Sequence, residues 1–146
     1  MFEVLPGAGL RLPRGAGVLR FGMSARAARW AVAALADVRE TWVCQTGWAF
    51  TASYEGLELF LYGDVVDRYG RADHDRHGLA SVTLRRCVAP PTEPSAVPVV
   101  FQGVDVFGYP EAEVLDVLTA VPHPSVTLPR AASPTGYLPE VRLEAV

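Results

Sequence analysis

Gly17-Val18-Leu19-Arg20-Phe21-Gly22-Met23-Ser24 and Gly103-Val104-Asp105-Val106-Phe107-Gly108 are the two stretches on which the fold turns. Both read G-V-x-x-F-G, they lie 86 residues apart, and each precedes a segment with helical apolar spacing. After the first, Ser24 is suited to an N-cap, because its hydroxyl can accept from an otherwise unpaired amide. The spacing predicts a helix from there to about Val38. At about 100° per residue, Ala28, Ala31, Val32, Leu35 and Val38 gather on its core-facing side. After the second stretch, Pro110 suits a first helical position, and Glu111 and Glu113 favour the positive end of the helix dipole. The stripe of this second helix is Val114, Val117, Leu118 and Val121, which at the same offset fall on Ala28, Ala31, Val32 and Leu35.

Outward from these two points, the chain reads as strands. Leu57, Leu59 and Leu61 alternate with Glu58, Phe60 and Tyr62, and Ala80, Val82 and Leu84 alternate with Ser81, Thr83 and Arg85. A period of two marks strands with one buried face. Thr41 to Thr51 holds Trp42, Cys44, Trp48 and Phe50 around Gln45-Thr46-Gly47, an aromatic hairpin or bulged strand. Val141 and Leu143 resemble Leu57 and Leu59, so the second unit also ends in a strand. The expected fold is α+β: two degenerate strand, helix, antiparallel-strand units packed into one domain, with helices against a mainly antiparallel sheet. Residues 1–16 form an irregular lead-in, 17–88 the first unit, 89–98 a stiff proline-rich connector and 99–146 the second unit.

Composition narrows the chemistry. The 146 residues are half hydrophobic with a net charge of -3, so one core can be buried, and no basic run suggests a nucleic-acid partner. Every one of the 13 basic residues is arginine, which removes Schiff-base and phosphate-loop lysine chemistry. Neither a signal peptide nor a membrane span is expected, which places the chain in the cytoplasm. In a reducing compartment Cys44 and Cys87 are most simply buried thiols, with a redox pair as the other reading.

Leu19-Arg20-Phe21-Gly22-Met23-Ser24 followed by an amphipathic helix resembles the F-G-M-T opening of the repeats in β-lactamase inhibitory proteins. The wider pattern is similar to that of a family of small bacterial proteins with L-G-M-T, G-L-x-V, G-x-D-L-F and G-Y…L-x-L motifs. Gly56-Leu57-Glu58-Leu59, Gly103 to Phe107, and Gly136-Tyr137 through Leu143 stand for the last three. The resemblance implies a sheet-and-helix binding scaffold, and its motifs are structural.

Three constellations are candidates for function, and no cofactor is expected from them. Asp64, Asp67, Asp73, His74, Asp75 and His77 crowd one polar segment, where a divalent metal could use His74 and His77 with Asp73 and Asp75. The other reading of that segment is a solvated loop. Trp30 lies about 120° from the centre of the first helix's stripe, beside Arg26 and Arg29, and Trp with Arg is the pairing most enriched at protein interfaces. Either this face meets a partner, or the lead-in folds Leu10 and Leu12 over the indole. Phe60 and Tyr62 point away from the leucine face, with Tyr54 and an aromatic of the Trp42 to Phe50 segment, as a docking platform or a second core layer. The leading expectation is a non-enzymatic module that recognises another protein, in the manner of an immunity or inhibitor protein. A metal- or small-molecule-binding protein, which could be an enzyme, and a homodimer are the alternatives.

Overall fold

The computed structural model describes residues 1–41, 47–64, 78–118, 123–129 and 136–145. In chain order its elements are β1 (Phe2–Leu5), β2 (Gly9–Arg11), β3 (Val18–Arg20), α1 (Ala25–Ala33), β4 (Val38–Thr41), β5 (Gly47–Tyr54) and β6 (Leu57–Asp64). There follow β7 (Gly78–Arg86), β8 (Val99–Phe101), β9 (Val104–Asp105), α2 (Glu111–Leu118), β10 (Val126–Thr127) and β11 (Glu140–Glu144). The chain is a mixed α+β fold, but with two sheets where one was expected. Strand order is β3-β2-β1-β8-β9 in the first and β10-β11-β7-β6-β5-β4 in the second. The described pairings are antiparallel except for β1 with β8.

Each sheet draws strands from both stretches, 17–88 and 99–146: β11 of the second lies beside β7 of the first in the six-stranded sheet, and β3 and β8 flank β2 and β1 in the five-stranded one. One buried cluster joins them and includes Phe2, Val32, Leu59, Val99, Phe107 and Leu143.

The first correction concerns residues 1–16. Instead of an irregular cover they supply β1 and β2, and β1 is the middle strand of its sheet. Phe2 and Val4 point inward around Glu3, while Leu10 and Leu12 are buried from the next strand and its exit. Glycine and proline punctuate strands this short and mask their alternation.

Helix α1 begins as expected, with the Ser24 hydroxyl accepting from the Ala27 amide at 3.1 Å. Ala28, Ala31 and Val32 are buried and Leu35 packs against the core. Its end is earlier than the spacing implied. The Leu35 and Ala36 amides both turn back to the Val32 carbonyl at 2.9 Å. Val38 then opens the edge strand β4 opposite Ala52, where sheet pairing satisfies its backbone.

Strands β5 and β6 are joined by Glu55 and Gly56 at φ 44° and 85°, the two positive values of a type I′ turn. Leu57, Leu59 and Leu61 are fully buried, as their alternation requires. In β7 the alternation slips. Tyr62 pairs with Ser81 but Gly63 pairs with Leu79, so Ala80 is bulged out and Leu79 takes the inward place beside Val82 and Leu84.

The two G-V-x-x-F-G stretches share one job and differ in another. In both, the chain at or soon after Phe-Gly bonds to the start of a strand of the six-stranded sheet or to the approach to one. Gly22 donates to the Leu79 carbonyl at 2.8 Å, and Glu111 donates to the Gly136 carbonyl at 3.0 Å. Their entries are unlike. Gly103, with Gln102, makes a two-residue type I′ turn, whereas Gly17 closes a longer loop through the 3-10 turn Pro13–Gly15. Phe107 is fully buried and Phe21 only half-buried.

Asp105 accounts for part of that difference, since the first copy has Leu19 in its place. Its carboxylate accepts from the Val99 and Phe107 amides, both at 3.2 Å. Asp105→Ala strips two backbone donors of their acceptor and should cost about 2–4 kcal/mol in chemical denaturation. Asp105→Asn keeps an oxygen there and should cost clearly less.

Helix α2 buries Glu111, Val114 and Leu118, while Val117 is 56% exposed. The expected stripe is therefore rotated: the Glu111 amide on the Gly136 carbonyl, in an antiparallel bridge of Pro110 with Tyr137, fixes the first turn and sends Val117 outward. Val121 lies outside the described residues. The proline-rich connector is also more than a spacer. It crosses from one sheet to the other with Pro91 and Val97 buried, and is held by the Arg86 guanidinium on the Glu93 carbonyl at 2.7 Å and the Ser95 amide on the Phe107 carbonyl at 3.0 Å.

Candidate functional site

Among the described residues, the outer side of α1 is where an expected binding residue stands free. Trp30 is 80% exposed, and Arg26, Ala33 and Ala34 are exposed around it. The alternative in which the lead-in covers the indole is overturned: Leu10 and Leu12 are 0% and 3% exposed, committed to the core. Arg26 has no ion-pair partner among the described residues. Arg29 leans the other way, pairing with Glu40 on β4 and lying over the Phe50 ring with its guanidinium carbon 5.8 Å from the centroid. Arg29 thus ties the helix to the sheet and leaves Arg26 and Trp30 as the open pair.

Beside the C-terminal end of α1 lies a concavity of about 670 Å³, reached by Ala33 and rimmed by Asp37, Arg39, Glu55 and Glu58. Glu55 is approached from the side by Arg14 at 3.5 Å. The described charges thus run from Arg26 near the start of the helix to Asp37 just past its end.

The aromatic platform is reduced. Register places Tyr54 and Phe50 opposite Leu57 and Leu61, on the buried face. Tyr54 is 8% exposed and meets Phe2 edge-on at 5.9 Å, and Trp48 stacks on Phe50 at 5.0 Å. Of the platform's described aromatics, Phe60 and Tyr62 stay on the opposite face, both half-buried among Thr51, Ser81 and Thr83. The Tyr62 hydroxyl donates to Asp64 at 2.9 Å, and its ring lies over Gly47 so closely that a β-carbon there would come within 2.9 Å. The same face carries Glu140 between Arg85 at 3.6 Å and Arg142 at 2.8 Å.

His74, His77, Asp73 and Asp75 lie outside the described residues, as do Asp67, Trp42 and Cys44. Among the described residues no cluster of three or more His, Cys, Asp or Glu could hold a metal ion, and no helix is long and apolar enough to cross a membrane. Cys87, expected to be buried, is exposed.

One pair resembling catalytic machinery was not legible in the sequence. The Ser125 hydroxyl lies 2.6 Å from His123 Nδ1, and it accepts from the Gly7 amide at 2.8 Å. Nδ1 also receives the Ser125 amide at 3.2 Å, so it is an acceptor and the hydroxyl is its donor. Ser125 is 2% exposed, too deep to meet a substrate, and the arrangement pins the β1–β2 turn to the segment before β10. Arg86 is likewise structural: burial lowers its pKa, nearby Asp105 opposes that, and its guanidinium lies over the Phe107 ring.

No protein-family model, curated protein or solved structure matches this chain.

Proposed function

We propose that the protein is a protein-interaction module, immunity- or inhibitor-like in character, whose contact surface is the outer side of α1 centred on Trp30. One observation carries this: a tryptophan 80% exposed in mid-helix while that helix's other side is settled in the core. Burying an indole elsewhere would contribute a few kcal/mol to folding, and at this position it contributes almost nothing. An exposed Trp beside an Arg that has no ion-pair partner among the described residues is the composition of an interface anchor. The resemblance to the scaffold of β-lactamase inhibitory proteins supports a binding role over a catalytic one. The helix face is favoured over the sheet face because Tyr62 is already engaged within its own sheet.

Affinity capture from the source organism tests this with Trp30→Ala and Phe60→Ala. Trp30→Ala should leave unfolding free energy within about 0.5 kcal/mol of the parent and lose the retained protein, while Phe60→Ala keeps it. Capture of the same proteins by parent and Trp30→Ala would sink the assignment.

A further inference from the structure

We infer that the concavity beside the C-terminal end of α1 is a binding site for a small organic cation that carries protonated amines. This site is separate from the Trp30 contact and does not depend on it. The hollow exists because β5 outruns its neighbour. The first pair of the β4–β5 ladder is Val38 with Ala52, so Ser53 and Tyr54 extend past β4, while the chain leaves α1 at Ala33 and reaches Val38 through the link 34–37. The walls formed by 33–37 and 51–55 bound about 670 Å³, inside the roughly 300–1,000 Å³ of ordinary small-molecule sites.

Two independent observations point to the ligand's chemistry. The first is charge. Asp37, Glu55 and Glu58 line the hollow with Arg39, and Arg14 reaches Glu55 from the side. Asp37 and Glu58 are left with no ion-pair partner among the described residues. The wall at 33–37 adds the negative end of the α1 dipole. The second observation is Tyr54, which is 8% exposed and yet makes no hydrogen bond through its hydroxyl to a described residue. Among the described residues, the unpartnered polar atoms sealed from the surface belong to Arg86 and Glu140. The Tyr54 oxygen therefore keeps an opening, and Tyr54 lines this hollow. A phenol held edge-on to Phe2 at 5.9 Å, its oxygen unspent, is a preplaced acceptor for an ammonium N–H. A bare metal ion does not suit the place, because no three His, Cys, Asp or Glu among the described residues converge on one point. Acids spread around a wide hollow suit a cation with length.

Isothermal titration calorimetry of the full chain with 1,4-diaminobutane, at about 0.15 M ionic strength to screen loose attraction, tests this. The parent should bind the diamine and ignore 1,4-butanediol, which has the same length without the charge. Asp37→Asn and Glu58→Gln should each weaken binding by about threefold to tenfold. Tyr54→Phe removes only the unpaired oxygen, so it should melt with the parent and bind about threefold or more weakly. Glu113→Gln, an exposed acid on α2, should bind as the parent does and controls for non-specific attraction to a chain of net charge -3. A parent that does not bind, a loss as large in Glu113→Gln as in Asp37→Asn, or a Tyr54→Phe variant that binds normally overturns the site. Magnesium chloride bound as tightly as the diamine overturns it too. So does a lysine-bearing peptide that binds where the diamine does not, since the hollow would then belong to a protein contact.

Discussion

Gly9→Ala should leave little or no folded protein. Gly9 sits in β2 opposite Arg20 at φ 147°, and a β-carbon built there would lie 1.8 Å from the Leu19 carbonyl oxygen. That neighbour is strand backbone and cannot swing aside. Relief requires β2 and β3 to separate, breaking the pairing that carries Leu10 and Leu19, both fully buried, into the core. Backbone strain at such a φ adds roughly 1–3 kcal/mol of its own. A combined loss of about 5 kcal/mol or more is comparable to the whole stability of an ordinary domain. Soluble yield and thermal melting read the result. Gly15→Ala is the control: φ is 68°, but no described atom lies within 4 Å, so only the conformational cost of about 1 kcal/mol applies. If Gly9→Ala melts close to the Gly15→Ala control, the β2–β3 contact is not built as described.

Phe107→Ala should be nearly as damaging, and Phe21→Ala much less so. The Phe107 ring is fully buried, is covered by the Arg86 guanidinium at 5.7 Å, and has its backbone tied to Asp105 and Ser95. Removing the ring leaves a cavity at the junction of both sheets, at a cost of about 3–5 kcal/mol. It also strips Arg86 of the surface against which its partly buried charge packs. Phe21 is half-buried, so its truncation should cost about half as much or less. Urea denaturation of the two variants side by side measures the gap. Equal losses would mean that the two G-V-x-x-F-G stretches carry equal structural weight, contrary to their burial.

Local signals were legible where one element sufficed to express them. Ser24 caps α1 because capping involves only its own first turn, and Leu57, Leu59 and Leu61 face inward because alternation is a property of the strand itself. The failures share a different character. Val38 continues the helical spacing of Leu35 yet belongs to β4, since an apolar residue just past a helix end can satisfy either period. Val117 matches Ala31 by offset but faces outward, because the rotation of α2 is set by Gly136 and Tyr137, far along the chain. Ala80 loses its place to Leu79 through a bulge opposite Gly63. Residues 1–16 hid two strands because segments of four and three residues are too short to display a period.

The candidate site divides in the same way. Spacing alone placed Trp30 off the core stripe and beside Arg26, while its exposure depended on where the lead-in goes. Leu10 and Leu12 could have lain over the indole until β1 and β2 drew them into the five-stranded sheet. By itself, then, the sequence determined the α+β class, the N-terminal cap and inner face of α1, and the buried leucines of β6, because each follows from bonds and periods within a few residues. The tertiary structure decided that there are two sheets woven from both halves, that Tyr54 and Phe50 turn inward, and that Trp30 is left in the open. Those outcomes depend on which distant surfaces are buried together, and burial is a property of the assembled chain.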